Sequence, residues 1–153
     1  MLEYKIEELK IENLEEALKV IEVTFLKFEA PDYSKEGIEN FFKFANYETI
    51  KDNLNKTMKM YVAKVNGEIV GVIGYRDNSH INLLFVLEEY QHNGIAKALY
   101  KLVVENCKNS GAQKVTVNSS PYAHEVYLRF GFIDYNKMQE VDGIKFYPMR
   151  KET

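Results

Sequence analysis

Apolar residues at Leu14, Ala17, Leu18, Ile21, Phe25 and Phe28 recur three or four positions apart, the spacing that puts one stripe on a helix. They predict a first helix, opened by a capping pair of Asn13 with Glu16 and ended by Pro31. Before it, the alternation from Leu2 to Ile6 predicts a short strand. Ser34 can cap a second helix carrying Ile38, Phe41, Phe42 and Ala45, and Thr49 to Leu54 reads as a weaker third. From Met58 the period changes to two. The runs "MKMYVAKV" and "EIVGVIGYR" read as strands joined by Asn66-Gly67, a type I′ hairpin signal. "RDNS" turns the chain into another strand, "HINLLFV", so three consecutive antiparallel strands are expected.

Ile95, Ala98, Leu99, Leu102, Val103 and Cys107 then mark a long helix closed by Gly111. "QKVTVN" reads as a buried strand. Pro121 opens a short helix with Ala123, Val126, Tyr127 and Phe130 inward, ended by Gly131. Strand character returns near Phe132 to Tyr135 and at "IKFYPMR". The strand–helix–strand unit from His80 to Asn118 predicts a right-handed crossover between parallel strands. An α/β (α+β) fold follows, a mixed and largely antiparallel sheet flanked by helices, in a single domain over residues 1–153.

Composition narrows the function classes. The net charge of −3 and pI near 5.7 give no basic field for nucleic acid. The longest apolar run is the five residues "LLFVL", too short for a membrane span. The charged N-terminus is unlike a secretory signal. Cys107 is the single cysteine, which excludes an internal disulfide, and no histidine–carboxylate spacing suits a metal. A cytoplasmic protein without a metal is expected. Whether it forms a homodimer is open.

The segment "EYQHNGIAKAL" (89–99) carries the first chemical signal, because a glycine stands where a helix begins. Free backbone N–H groups and the positive end of the helix dipole make an anion site there. Gln91, His92 and Asn93 would add donors, and Gly94 would let a phosphate approach the backbone. A tight turn at Gly94 accounts for the glycine equally well. The loop is neither a Walker A motif nor a G-x-G-x-x-G fingerprint.

"QHNGIA" (91–96) resembles the [QR]-x-x-G-x-[GA] loop of the GNAT superfamily of N-acetyltransferases, and "LLFVLEEY" before it resembles that family's fourth strand and exit. "SSPYAHEVYLRFGF" is similar to the second signature, A-x-x-x-Y-x-x-x-G-F, at Ala123, Tyr127, Gly131 and Phe132. The resemblance covers essentially the whole chain. It implies splayed parallel central strands and acetyl-CoA as co-substrate. Phe85 and Val86 would then face the thioester and pantetheine. Gln91, His92, Asn93, Gly94, Ile95 and Ala96 would hold the pyrophosphate, with Lys97 adding charge. Many members carry N-x-x-A before the helix tyrosine. Here Ser120 stands three before Ala123 and Asn118 two earlier, so either polar side chain can meet the cofactor.

The same resemblance makes Tyr127 the acid that protonates the CoA sulfur, a role suited to a phenol with a reference pKa of about 10. Histone-acetylating members place a glutamate eleven residues before the loop's first residue, and here that position is His80. Histidine can accept a proton near neutrality, although a residue following "RDNS" also reads as an exposed turn. Glu29 is a second candidate, near where members bind the acceptor, and otherwise a solvated helix-end carboxylate. The implied function is acetyl transfer to a primary amine, with a small molecule as the acceptor partner. Modification of a protein or peptide amine, or CoA sensing without turnover, are the alternatives.

Overall fold

The apolar stripe of the first helix is seen in the computed structural model, which describes residues 2–77 and 79–153. After β1 (Lys5–Glu8), α1 spans Leu14–Thr24 and buries Leu14, Ala17, Val20 and Ile21. Two details differ from the sequence reading. The Asn13 side chain makes no capping bond, and the Glu16 carboxylate instead accepts the Ile69 N–H at 2.8 Å, tying the helix to the sheet. The stripe also does not continue as α-helix. The buried Thr24 hydroxyl donates back to the Val20 carbonyl at 2.7 Å, a bond that tends to bend helices, and Phe25–Glu29 follow as a π-helical turn. A 3₁₀ turn with Pro31 ends the segment.

α2 (Lys35–Phe44) is capped as expected, the Ser34 hydroxyl accepting the Gly37 N–H at 3.1 Å. α3 (Tyr47–Asn53) follows. β2 (Met58–Val65), β3 (Glu68–Arg76) and β4 (His80–Val86) pair antiparallel in succession. Asn66 and Gly67 join the first two at φ of 52° and 82°, the positive pair that a type I′ turn requires. The turn read at "RDNS" includes Asn78, which lies outside the described residues. α4 (Ile95–Asn109) crosses over to β5 (Lys114–Ser119), parallel to β4.

The helix expected from Pro121 starts later, as α5 (His124–Arg129), with Ala123 at its N-cap. β6 (Ile133–Asp134), β7 (Gln139–Val141) and β8 (Ile144–Glu152) complete the chain. The strand order is β1-β2-β3-β4-β5-β8-β6, with β7 hairpinned onto β8. One face of this sheet buries α1, α2 and α3 over Phe25, Met60, Val72 and Leu83. The other buries α4 and α5 over Ile73, Leu99, Val115 and Phe132. Among the described residues, no helix is long and apolar enough to cross a membrane.

Candidate active site

β4 and β5 pair only at His80–Thr116 and Ile81–Val117. Beyond that point each strand continues without the other, and the gap opens into two adjoining cavities of about 410 and 290 Å³. Glu29, Leu84, Phe85, Ala123 and Tyr127 line both, so they form the wall where the two spaces meet.

The larger cavity faces the start of α4. His92 and Gly94 hold φ of 65° and 81° there, and the helix begins at Ile95 with no side chain capping it. The N–H groups of its first turn have no acceptor within the helix, and they open on this cavity together with Val86, Gln91, His92, Ala96 and Lys97. A Cβ on Gly94 would meet nothing within 4 Å, so positive φ is what the glycine supplies, in an open setting. The amides of Gln91 and Asn93 point elsewhere than the sequence suggests. Gln91 Nε2 donates to the Val86 carbonyl at 3.0 Å, and Asn93 Nδ2 donates to the carbonyls of Tyr90 and Gln91. These side chains shape the loop, leaving its backbone as the donor set. Lys27 and Glu88 form an ion pair, and Phe28 stacks on Tyr122 at 4.8 Å. The Tyr122 hydroxyl reaches Gln91 Oε1 at 3.4 Å. These contacts join the π-helical turn to the loop beside the cavity.

The smaller cavity has apolar walls from Tyr33, Phe41, Phe44 and Ile144 and amides from Asn40, Asn82 and Asn118. Asn118 and Ser120, expected at the cofactor, line this side. Ser120 is buried, and its Oγ accepts the Ala123 N–H at 3.2 Å. The amide of Asn82 is sealed from solvent without a partner among the described residues, resting over Gly74, where a Cβ would come within 2.9 Å of Asn82 Oδ1. α2 is locked to the β7–β8 turn. Asn40 donates to the Asp142 carbonyl at 3.0 Å, and the Ser34 N–H donates to the Gly143 carbonyl at 3.2 Å.

His80 lies at the closed end, its Nδ1 2.7 Å from Thr116 Oγ1. Burial, helped by the Arg76 charge, pushes its pKa down to about 4, so the ring is neutral at ordinary pH. Glu29 is not a solvated helix end. Burial raises its carboxyl to about 8 against an opposing hydrogen bond from Ser120. Tyr127 is 4% exposed, and burial together with the nearby Glu29 holds its phenol protonated well above the usual range. His124, although beside Tyr127 in sequence, pairs with Asp134 at 2.9 Å and stacks on Tyr147. Cys107 is buried in the core with its thiol pushed up to about 11. Among the described residues, no three histidine, cysteine or acidic side chains cluster to hold a metal. Asn82 and Tyr122 join the site without a sequence signal beyond their place near the motifs.

A family model for the acetyltransferase (GNAT) domain matches residues 29–153. The chain is 34% identical over 82 residues to an uncharacterized N-acetyltransferase, YafP, of Escherichia coli K12. That match spans 54% of this chain and half of YafP. A crystal structure from Rhodopseudomonas palustris, described as a GCN5-related N-acetyltransferase and class-II aminotransferase, superposes with a TM-score of 0.87 at 19% identity. It covers 100% of this chain and 98% of its own. The PaiA N-acetyltransferase of Thermoplasma acidophilum, solved with coenzyme A, gives 0.78 at 23% identity over 99% and 100% of the two chains. At these identities the two structures establish likeness of fold.

Proposed function

This chain belongs to the GNAT acetyltransferase family, and on that premise we propose that it transfers an acetyl group from acetyl-CoA to the primary amine of a small molecule. The observation that carries the reading is the meeting of two cavities at one wall that includes Tyr127. The larger cavity takes acetyl-CoA. Its pyrophosphate sits on the backbone N–H groups at the start of α4, where the helix dipole favours an anion. The pantetheine arm follows the parted edge of β4 past Val86 and Phe85. The smaller cavity takes the acceptor. Its size and mixed apolar and amide lining suit a compact molecule more than a polypeptide segment.

The acetyl carbonyl then lies at the shared wall, with the thiol on one side and the amine on the other. Tyr127, held protonated, gives its proton to the departing sulfur. His80 enters this proposal as a neutral wall of the acceptor cavity. Incubation with acetyl-CoA and separate panels of small amines and peptides, read as free thiol, tests the assignment. Thiol release with a small amine is expected. Release with peptides alone would overturn the acceptor class, and release with neither would overturn the transferase reading.

A further inference from the structure

The geometry points to Glu29 as the catalytic group that takes the acceptor's proton and then restores Tyr127. This rests on the transferase reading above. Two carboxylates line the cavities, Glu29 and Glu125, and of these Glu29 alone reaches both. It stands at the end of the π-helical turn. The wider turn departs from the α-helical stripe that buries Phe25, and it leaves Phe28 and Glu29 on the cleft. Ser120 Oγ accepts the Ala123 N–H, and its hydroxyl opposes part of the rise that burial imposes on the Glu29 carboxyl. The Ala123 carbonyl in turn accepts the Tyr127 N–H at 3.1 Å. One short turn therefore holds both Ser120 and Tyr127.

With a neutral amine the proton account closes on these two groups. The nitrogen–carbon bond forms as the carbon–sulfur bond breaks. The N–H proton passes to the Glu29 carboxylate, and the Tyr127 hydroxyl proton passes to sulfur. The Glu29 acid then returns its proton to the Tyr127 phenolate, so the products are the amide and free thiol with the protein unchanged.

The titratable groups around Glu29 come from both cavities. Asp32 and Tyr33 lie on its own side, and Asp32 raises its pKa further. Tyr127 faces it from α5, and the smaller cavity adds His80 and Arg76 from the sheet. The larger cavity adds His92, Lys97, Glu125 and Arg129. His80 is neutral, both tyrosines are protonated, and burial sets Glu29 near 8.

The test uses an acceptor amine of low basicity, uncharged from about pH 6 upward, so that only the protein titrates. Wild-type kcat/KM is expected to rise with pH and level above about 8. Glu29→Gln should lose the rise and fall by roughly 10²–10⁴-fold at the plateau, with CoA affinity kept. Glu29→Asp should recover the pH dependence at a lower rate. A Glu29→Gln profile that keeps both its rise and its plateau would overturn the proposal. Infrared difference titration, wild type minus Glu29→Gln without substrate, gives a readout independent of turnover. A carboxylic acid band lost near pH 8, and displaced in Tyr127→Phe, is expected. Ionisation below pH 6 would overturn the proposal even if acetyl transfer is observed. Absence of transfer by the wild type would instead strike the transferase reading.

Discussion

Gly37→Ala tests whether the contact between α2 and the β7–β8 turn shapes the acceptor cavity. A Cβ on Gly37 would lie 2.1 Å from the Gly143 carbonyl oxygen and 2.5 Å from its carbon. Carbon–oxygen contacts closer than roughly 3.3 Å are repulsive, so the two backbones would have to part by about 1 Å. That movement strains the Ser34-to-Gly143 and Asn40-to-Asp142 hydrogen bonds, each contributing about 0.5–1.5 kcal/mol. Alanine in place of glycine returns at most about 1 kcal/mol of helix propensity. Overpacking of this kind costs about 1–3 kcal/mol net, a fall in Tm of roughly 2–12 °C for a chain of this size. Asn40, Phe41, Phe44 and Ile144 line the smaller cavity, whereas α2 and β8 contribute nothing to the larger. Acceptor KM should therefore rise severalfold while CoA affinity is kept. Thermal melts, CoA calorimetry and steady-state kinetics on one preparation check this. A variant with wild-type Tm and acceptor KM would refute the reasoning.

Gly94→Val places a β-branched residue at φ of 81°, a strain of about 1–3 kcal/mol. CoA affinity should drop at least about tenfold with the fold intact, and calorimetry showing wild-type affinity would make Gly94 a turn residue only. His80→Ala removes a neutral imidazole held by Thr116. It should raise acceptor KM while the pH–rate profile keeps its limb near 8, and loss of that limb would make His80 the proton acceptor. Glu29 is also expected to mark stability. Its folded pKa of about 8 exceeds the ordinary 4.5, so between those values the folded chain holds a proton that the unfolded chain has lost. Stability contributed by that proton is full below the lower value and lost as pH rises through the upper one. The Tm of Glu29→Gln relative to wild type should thus be higher above pH 8 than near pH 4.5, and an equal difference at both would contradict the burial of this carboxyl.

The sheet was legible where period and turn chemistry agreed. Asn66-Gly67 joined two β-type runs, and the strands on either side of the crossover from His80 to Asn118 came out parallel. Asp142-Gly143 forms the same kind of turn at φ of 53° and 82°. No hairpin is legible there, because "QEV" before it is too short and polar to read as a strand. The π-helical turn was invisible because Phe25 and Phe28 keep α-helical spacing. The Asn13–Glu16 cap failed because the Ile69 N–H, fifty-three residues away, takes the Glu16 carboxylate. The site shows the same division. The loop from Gln91 to Ala96 and the helix of Tyr127 are local patterns that a resemblance can expose. The environments of Glu29 and His80 are set by burial among segments distant in the chain, and no local spacing encodes them. The stack of Phe28 on Tyr122 is hidden for the same reason.

The most direct measurement is turnover by Tyr127→Phe beside wild type, with acetyl-CoA and the acceptor found in the amine panel. The substitution keeps the ring packed against Phe130 and Phe132 and removes the phenol proton at the wall between the cavities. Turnover should fall by roughly 10²–10⁴-fold. CoA affinity should change by less than about tenfold, since one neutral hydrogen bond contributes about 0.5–1.5 kcal/mol. Wild-type turnover by Tyr127→Phe would contradict acetyl transfer at this wall.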